Sequence, residues 1–379
     1  MKFAAPELMP IARTQENNKL MKSTPHLRFL IPYLSLFLVL TAPDVSVCAQ
    51  APSQLEPYRP QQKLPGPEIL HSWGSNEMAD LMKSWESGFA HYQPEIRFAD
   101  TLKGTETAQA ALFSHVANMA LMSRPILPLE RHVMFRREHH LPLEIMVATG
   151  SFDVADKTFA LAVLVNKDNP LSSLSLKQLD GIFGDERTGA WDEKFIWHPE
   201  AARGSDQNIR TWGQLGLTGE WADKPIHLYG YPVTIYSPIS GPMLSFRKDV
   251  MQGGDIWNPD LQEIPDGDRI AEALSKDRYA IGYTCLCFKT GALKPLALAP
   301  TDGSTQVHLS KATVANRTYP LSRAIYIYID RTPGEPVDPR VREFLTYVLS
   351  REGQEAVARS GGYLPLTPQL AQEQLQKLQ

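Results

Sequence analysis

The sequence predicts an α/β fold divided into two lobes, and three observations lead to this prediction. Short apolar segments with the character of β-strands alternate with amphipathic segments of helical period along most of the chain. The alternating part is roughly 310 residues long, and a chain of this length usually divides into two cores. Of the 379 residues, 43% are hydrophobic and 21% are charged, which is the composition of a globular protein.

The N-terminal region has the three parts of a secretory signal. The apolar run 29–42 follows two basic residues and is shorter than the roughly 20 residues that a membrane-spanning helix needs. A small–x–small ending around Cys48 supplies a cleavage site before Gln50. We therefore expect residues 1–49 to be a signal peptide with an over-long start, and the mature protein to be periplasmic. A retained membrane anchor and lipid attachment at Cys48 are the alternatives.

A linker and then a regular alternation of elements follow the signal. Residues 50–67 contain five prolines and few apolar residues, so we interpret them as a linker. The run 69–73 predicts a strand, and 78–89 predicts a helix because its apolar residues recur every three or four positions. Further strands are predicted at 96–98, 118–122, 143–147 and 159–165, and a further helix at 106–116.

The second half continues this alternation, which is typical of largely parallel sheets. Its predicted elements are helices at 175–182, 205–215, 241–251, 266–275 and 341–359, and strands at 279–283 and 324–329. Extended segments at 148–159 and 319–325 are the expected crossings between the lobes. We therefore assign 68–151 and 321–379 to lobe 1, and 152–320 to lobe 2.

Two cysteines remain after removal of the signal, and they lie two positions apart. The apolar run around Cys285 and Cys287 predicts a strand, on which both side chains point to the same face. Their Cα atoms would be about 6.5 Å apart, near the upper limit for a disulfide. Buried thiols, a strained local disulfide and, more remotely, metal binding are the open alternatives.

Motifs of enzymes and nucleic-acid binders are missing from the sequence. It contains no nucleophile elbow, zinc-protease motif or phosphate-binding loop, so we expect neither an enzyme nor a cofactor. The net charge of −4 argues against a protein that neutralises nucleic-acid phosphates. His132, His139 and His140 are close in sequence and could ligate a metal. Because no acidic or cysteine partner lies at ligand spacing, a solvated loop is the alternative.

Small polar turns before helices are the most informative candidates for a ligand site. Unpaired N–H groups and the helix dipole make a helix N-terminus attractive to an oxyanion, and an arginine after a strand could bind two oxygens at once. Each such turn could equally be a plain helix cap. The candidate ligand-binding residues are Ser75, Asn76, Glu77, Thr105, Ser123, Arg124, Ser240 and Gly241.

The order of several motifs resembles the phosphate-type substrate-binding proteins of ABC transporters. The matching stretches are 165–170 (VNKDNP), 176–183, 280–283 (AIGY), 319–323 (YPLSR), 344–345, 348–350, 352–354 and 362–366 (GYLPL). The resemblance runs from about residue 69 to residue 366. It implies a type II periplasmic-binding fold with a two-stranded hinge. It also implies a monomer that delivers its ligand to an inner-membrane permease.

The resemblance also assigns roles to the candidate residues in the first lobe. Asn76 and Glu77 fall where the family uses a threonine and the next backbone N–H. Thr105 falls on a serine ligand, and Ser123 precedes the position of an acidic acceptor. That acceptor position is Arg124 in this chain, as in several branches of the family, so replacing Arg124 by alanine is expected to reduce anion binding strongly.

The second lobe departs further from the family pattern. Ser240 and Gly241 match a Ser-Gly-Thr turn, but Pro242 replaces the threonine and removes an N–H donor. Tyr236 stands where the family often has an arginine. We expect phosphate as the ligand, with another oxyanion or a small acidic organic molecule as alternatives. A ligand-poor sensor or interaction protein on the same fold and a secreted phosphate-ester hydrolase are the rival functions.

Overall fold

The computed structural model describes residues 52–64, 66, 68–192, 196–233 and 240–379. The predicted signal peptide lies outside the described residues. The strands are β1 (Glu68–Gly74), β2 (Ile96–Thr101), β3 (Met119–Met122), β4 (Leu143–Thr149), β5 (Leu161–Asn166), β6 (Ser173–Ser175), β7 (Ala190–Trp191), β8 (Trp197–His198), β9 (His227–Gly230), β10 (Leu261–Glu263), β11 (Ala280–Cys285), β12 (Leu293–Pro295), β13 (Ala297–Ala299) and β14 (Ala324–Ile329). The helices are α1 (Ala79–Phe89), α2 (Glu106–Phe113), α3 (Pro128–Glu138), α4 (Leu176–Phe183), α5 (Gly241–Asp249), α6 (Gly267–Lys276), α7 (Lys311–Ala315), α8 (Pro339–Leu349), α9 (Arg351–Ser360) and α10 (Pro368–Gln376).

The larger strands form two separate five-stranded sheets, one for each lobe. The lobe 1 sheet has the order β2-β1-β3-β14-β4, and the lobe 2 sheet has the order β10-β9-β11-β5-β12. Each sheet has its own buried apolar cluster. The predicted α/β fold in two lobes is confirmed, whereas the residue limits of the lobes stay a prediction.

Both sheets are mixed rather than largely parallel. In lobe 1, β1 is parallel to β2 and β3, but β14 is antiparallel to β3 and β4. In lobe 2, β5 is antiparallel to β11 and β12. The antiparallel strands β14 and β5 are those that enter a sheet directly after the chain has come from the other lobe. Their direction therefore depends on the crossing, which local sequence does not specify.

Two hydrogen-bonded segments carry the chain between the sheets. Residues 150–160 lead from β4 to β5, and residues 316–323 lead back to β14. The Gly150 N–H donates to the Arg323 carbonyl (2.9 Å), and the Leu161 N–H donates to the Leu321 carbonyl (3.1 Å). The two crossings therefore run side by side, as a two-stranded hinge requires.

The described part of the predicted linker packs on lobe 1. Leu55, Tyr58 and Leu64 are buried in the apolar cluster of that lobe. The Tyr58 hydroxyl donates to Glu343 (2.6 Å), and its backbone N–H donates to Glu352 (2.7 Å). Burial raises the pKa of the Tyr58 hydroxyl, and Glu343 adds to this effect. This segment is anchored to the lobe, a contact that its proline content did not indicate.

The helix predicted at 205–215 is wrong. The structure has two short 3₁₀ turns there, Ser205–Gln207 and Trp212–Leu215, with extended backbone between them. The Ile209 N–H donates to the Gly181 carbonyl, and the Trp212 N–H donates to the Lys224 carbonyl. Hydrogen bonds to distant segments have replaced the helical ones, so tertiary contacts overrode the local pattern.

The helix predicted at 341–359 is divided at Ser350 into α8 and α9. The Ser350 hydroxyl accepts a hydrogen bond from the Gly353 N–H (3.4 Å) and so caps the start of α9. Helix α3, which carries His132, was not predicted from the sequence. Among the described residues, no helix has both the length and the apolar content that crossing a membrane requires.

The two cysteines form a disulfide, one of the three alternatives left open by the sequence. Strand β11 ends at Cys285, and Cys287 lies in a 3₁₀ turn, so the predicted continuous strand is wrong at this point. The turn brings the Cα atoms to 5.2 Å, which is within the usual range for a disulfide.

Candidate ligand-binding site

A polar cleft of about 430 Å³ contains nearly all the predicted site residues. Its lining residues are Ser75, Asn76, Glu77, Gly104, Thr105, Glu106, Ser123, Arg124, Ala155, Asp156, Lys157, Phe159, Gly241, Pro242 and Arg323. Ser240 caps the adjacent helix, and Tyr236 lies outside the described residues. A larger cavity of about 690 Å³ beside Trp191 and Trp197 has a mainly apolar lining and includes none of the predicted residues.

The ends of two neighbouring strands place the lobe 1 residues at the cleft. Parallel strands β1 and β3 end at the same edge of the sheet, so Ser75 and Ser123 follow them at one place. Gly74 has φ 138°, and a Cβ atom there would lie 2.0 Å from the Leu121 carbonyl oxygen. Only glycine permits this close approach of the two strands.

Two hydroxyl groups at the cleft are hydrogen-bonded to each other. The oxygens of Thr105 and Ser123 are 2.8 Å apart, and both side chains are buried. Thr105 immediately precedes α2, where the first N–H groups have no partner inside the helix. The Thr107 and Ala108 N–H groups of α2 donate to the Gly104 and Thr105 carbonyls, so the hydroxyl pair supplies the side-chain donors at this part of the cleft.

Arg124 lines the cleft, but its charge is already compensated. Its guanidinium makes a bidentate ion pair with Glu130, with N–O distances of 2.9 and 2.8 Å. Glu130 also accepts a hydrogen bond from the Leu127 N–H and so belongs to the N-terminus of α3. Glu130 was not among the predicted site residues, because α3 was not predicted. Arg124 consequently attracts an anion to the cleft less strongly than an unpaired arginine at the same position would.

Arg323 is a cation of the cleft that was not among the predicted site residues, and Lys157 is another. The Arg323 side chain is buried and donates to the Ser245 hydroxyl (2.9 Å) in α5 and to the Ser123 carbonyl (3.2 Å) in lobe 1. Burial lowers the pKa of its guanidinium, and the nearby Glu77 carboxylate opposes this shift. The position of Arg323 at the end of the stretch 319–323, which matches the family, could have indicated it as a site residue.

Glu77 brings a carboxylate into the cleft opposite this cation. Its Oε2 accepts a hydrogen bond from the Thr158 hydroxyl (2.8 Å), and its backbone carbonyl accepts one from Lys157 Nζ (3.1 Å). Burial raises the pKa of the Glu77 carboxyl, while the Thr158 hydrogen bond and the Arg323 charge lower it. A carboxylate in this position accepts hydrogen bonds from a protonated ligand and repels a fully ionised one.

The start of α5 brings lobe 2 to the cleft. Ser240 caps this helix by accepting a hydrogen bond from the Met243 N–H (3.5 Å). A Cβ atom on Gly241 would lie 2.6 Å from Arg323 Nη2, so the glycine allows the helix start to approach the guanidinium. Pro242 supplies no N–H, as expected from the sequence.

Comparison with known proteins identifies the family to which this chain belongs. The model of the PBP superfamily domain matches residues 60–352. The phosphate-binding protein PstS of Pseudomonas aeruginosa is 32% identical over 332 residues, which are 87% of this chain and 94% of that protein.

Solved structures show the same fold. The structure of PstS from Borrelia burgdorferi aligns with a TM-score of 0.53 at 16% identity, covering 79% of this chain and 99% of that one. An ABC-type phosphate transport receptor from Vibrio cholerae aligns with a TM-score of 0.50 at 19% identity, covering 78% and 99%. The chain therefore belongs to the PBP superfamily and, within it, to the family of the PstS phosphate-binding proteins.

Proposed function

We propose that this chain is an exported solute-binding protein that holds phosphate, or a similar oxyanion, in the cleft and delivers it to an ABC permease of the inner membrane. The observation that carries the proposal is the buried Arg323 guanidinium, which lies at the cleft with the hydroxyls of Thr105 and Ser123. The family supplies the transport context, and it makes the chain a binding protein rather than an enzyme. We further propose that it is periplasmic and acts as a monomer.

The proposed binding residues are those selected from the sequence, with Arg323 added. Ser75, Asn76, Thr105 and Ser123 belong to lobe 1, and Gly241 belongs to α5 in lobe 2. A ligand that contacts both groups stabilises the closed form by the contacts it gains there. The paired crossing segments provide the hinge for this closure.

Phosphate fits the charges of the cleft better than sulfate does. At neutral pH a phosphate ion carries one or two protons, and the Glu77 carboxylate accepts a hydrogen bond from such a proton. Sulfate has no proton to donate, so its oxygens would face the carboxylate without compensation. Glu77 thus supplies an acidic acceptor in a chain that has Arg124 at the acceptor position of the family.

A ligand screen tests the proposed function. The purified protein is heated with phosphate, sulfate, phosphonates or small organic acids, and binding is confirmed by calorimetry. Phosphate is expected to raise the melting temperature, because a ligand that binds only the folded state stabilises it by about 2.7 kcal/mol at 100 times its Kd. If no small anion gives a shift, the proposal is wrong.

Replacing Glu77 by glutamine is expected to strengthen sulfate binding and to reduce the preference for phosphate. The physical reason is that the substitution removes a negative charge, which repels sulfate but accepts a hydrogen bond from protonated phosphate. Sulfate binding to the unmodified protein should strengthen as pH falls through the raised pKa of Glu77, since protonation removes the same charge. Calorimetry with sulfate across this pH range measures both effects.

The Glu77→Gln variant should lose the pH dependence of sulfate binding. Glu272→Gln is the matched control, because Glu272 is an exposed acid in α6 whose ion-pair partner, Lys276, lies on the same helix. Equal pH dependence in all three proteins would exclude Glu77 from the binding cleft.

A sensor or interaction protein is the second candidate function. The observations that favour it are the compensation of Arg124 by Glu130 and the missing N–H of Pro242. Both reduce the attraction of the cleft for an anion. A screen in which no anion stabilises the protein would support this candidate.

A further inference from the structure

A second polar cavity, of about 90 Å³, adjoins the ligand cleft and is separate from it. Its walls are the end of β3, helix α5, the crossing segment 316–323 and the start of β14. Ser123 and Arg323 line both this cavity and the cleft, and the hydrogen bond between them (3.2 Å) is part of the common wall. We call this space the hinge cavity, because both lobes and one of the crossings enclose it.

Three cations line the hinge cavity, whereas its described lining includes a single carboxylate. The cations are Lys248 of α5 and, in the crossing segment, Arg317 and Arg323. The carboxylate is Asp249 at the end of α5, and it acts electrostatically on Arg323. Asp249 therefore compensates part of the positive charge of the lining. The remaining excess of positive charge attracts an anion.

Two further acids act on this region from outside the hinge cavity. Glu77 lies in the ligand cleft, where it accepts a hydrogen bond from the Thr158 hydroxyl (2.8 Å). Glu144 acts on Tyr326, but it accepts a hydrogen bond from the Tyr328 hydroxyl. Neither acid is a lining residue of the cavity. An anion inside the cavity would therefore meet the lining cations at shorter range than these two carboxylates.

The lining also contains hydrogen-bond donors that have no acceptor. The Ser322 side chain is buried, and its hydroxyl has no hydrogen-bond partner among the described residues. Arg317 donates from Nη1 to the Arg323 carbonyl (3.1 Å), and none of its other N–H groups donates to a described residue. A guanidinium carries five such donors. Because a buried donor without an acceptor costs stability, an acceptor in the cavity would be favourable.

Tyr326 adds a hydroxyl that is protonated at neutral pH. Its side chain is buried, and burial raises the pKa of Tyr326 to about 12, with Glu144 adding to this effect. The charges of Arg317 and Arg323 also act on this hydroxyl. Hydroxyl and guanidinium donors beside an ammonium group suit an anion, since an anion only accepts hydrogen bonds.

The volume of the hinge cavity restricts the kind of anion. One water molecule occupies about 30 Å³, while pockets for drug-sized ligands have roughly 300–1,000 Å³. A cavity of about 90 Å³ accommodates a halide ion or a single tetrahedral oxyanion. Larger organic acids do not fit.

We propose that the hinge cavity binds a small inorganic anion, such as chloride, between the cations of α5 and the crossing segment and the hydroxyls of Ser322 and Tyr326. The anion joins α5 of lobe 2 to the crossing segment and to β14 of lobe 1. It therefore stabilises the folded chain and the contact between the two lobes. The site is distinct from the proposed phosphate site, although Arg323 borders both.

Thermal unfolding of the purified full-length chain in sodium chloride tests this site. Chloride is replaced stepwise by gluconate at constant ionic strength and without phosphate, because gluconate is too large for the cavity. We expect a higher melting temperature in chloride, since an ion that binds only the folded chain stabilises it. Arg317→Met should weaken the apparent affinity for chloride by at least about tenfold, because it removes charged donors.

Arg269→Met is the matched control, because Arg269 is an exposed arginine in α6 and does not line the cavity. It should keep the full response to chloride. Equal responses to chloride in the Arg317→Met protein and the unmodified chain would overturn the proposal.

Crystals of the unmodified chain grown in sodium bromide locate the anion by the anomalous scattering of bromine. Bromide in the hinge cavity supports the proposal, and this result decides if the Arg317→Met protein does not fold. A hinge cavity without bromide, or bromide in the ligand cleft alone, contradicts it. A chain that binds bromide in the hinge cavity and no anion in the cleft would contradict only the transport proposal.

Discussion

Replacing Arg323 by methionine is expected to weaken phosphate binding about 30-fold to a few thousandfold. Removing one partner of a buried, hydrogen-bonded charge pair costs about 2–5 kcal/mol, and each 1.4 kcal/mol is a factor of ten in Kd. Arg323 is buried and bridges Ser245 of lobe 2 and Ser123 of lobe 1. Its loss would also remove one of the positive charges that act on the Glu77 carboxylate, while Lys157 would remain. Calorimetric titration with phosphate measures the effect.

Two further substitutions separate charge from geometry. Arg323→Lys keeps the charge but not the planar fork, so we expect an affinity between those of the unmodified protein and the methionine variant. Arg269→Met is the control, because Arg269 is an exposed arginine in α6 of lobe 2. Phosphate affinity that does not change in a folded Arg323→Met protein would remove this guanidinium from the site.

Replacing Trp85 by alanine is expected to lower the free energy of unfolding by about 3–5 kcal/mol. Trp85 is fully buried in the lobe 1 cluster, and its indole N–H donates to the Gly353 carbonyl at the start of α9 (2.9 Å). The substitution leaves a cavity and an unsatisfied carbonyl between α1 and α9. Urea unfolding followed by circular dichroism measures the change.

Trp197→Ala is the matched control for this prediction. Trp197 is 40% exposed, lies in the short strand β8 of lobe 2 and packs edge-on against Trp191, so its loss should cost about 1 kcal/mol, well below the cost at Trp85. A Trp85→Ala protein as stable as the control would mean that α1 and α9 do not form a shared core.

Arg124 illustrates how a residue can line the cleft while its charge is paired outside the predicted set of residues. The sequence placed it at the cleft, where it lies, and the resemblance led to the expectation that Arg124→Ala would reduce anion binding strongly. The structure pairs its guanidinium with Glu130 in a bidentate contact. That pair depends on α3, a helix with weak periodicity that was not predicted. The alanine effect therefore stays a prediction, and we expect it to be smaller than the effect at Arg323.

Local patterns determined most of the elements of this protein. Strand β14 has the bounds that its continuous apolar run predicts, and α1 follows the helical spacing of its apolar side chains. These elements could be predicted because a continuous apolar run suits a strand that is buried on both faces, and apolar residues three or four apart form the one buried face of a helix. The segment 205–215 has a similar pattern, but its backbone hydrogen bonds go to distant segments.

The sequence by itself determined the α/β class, the family and the polar turns that line the cleft, because these depend on neighbouring residues and on motifs in a fixed order. Only the tertiary structure decided how the charges are paired. It brought Glu77 near Arg323, Glu130 to Arg124, and Asp330 to His140. The physical reason is that electrostatic interactions depend on distance in space and on burial, and both arise only when distant segments pack together.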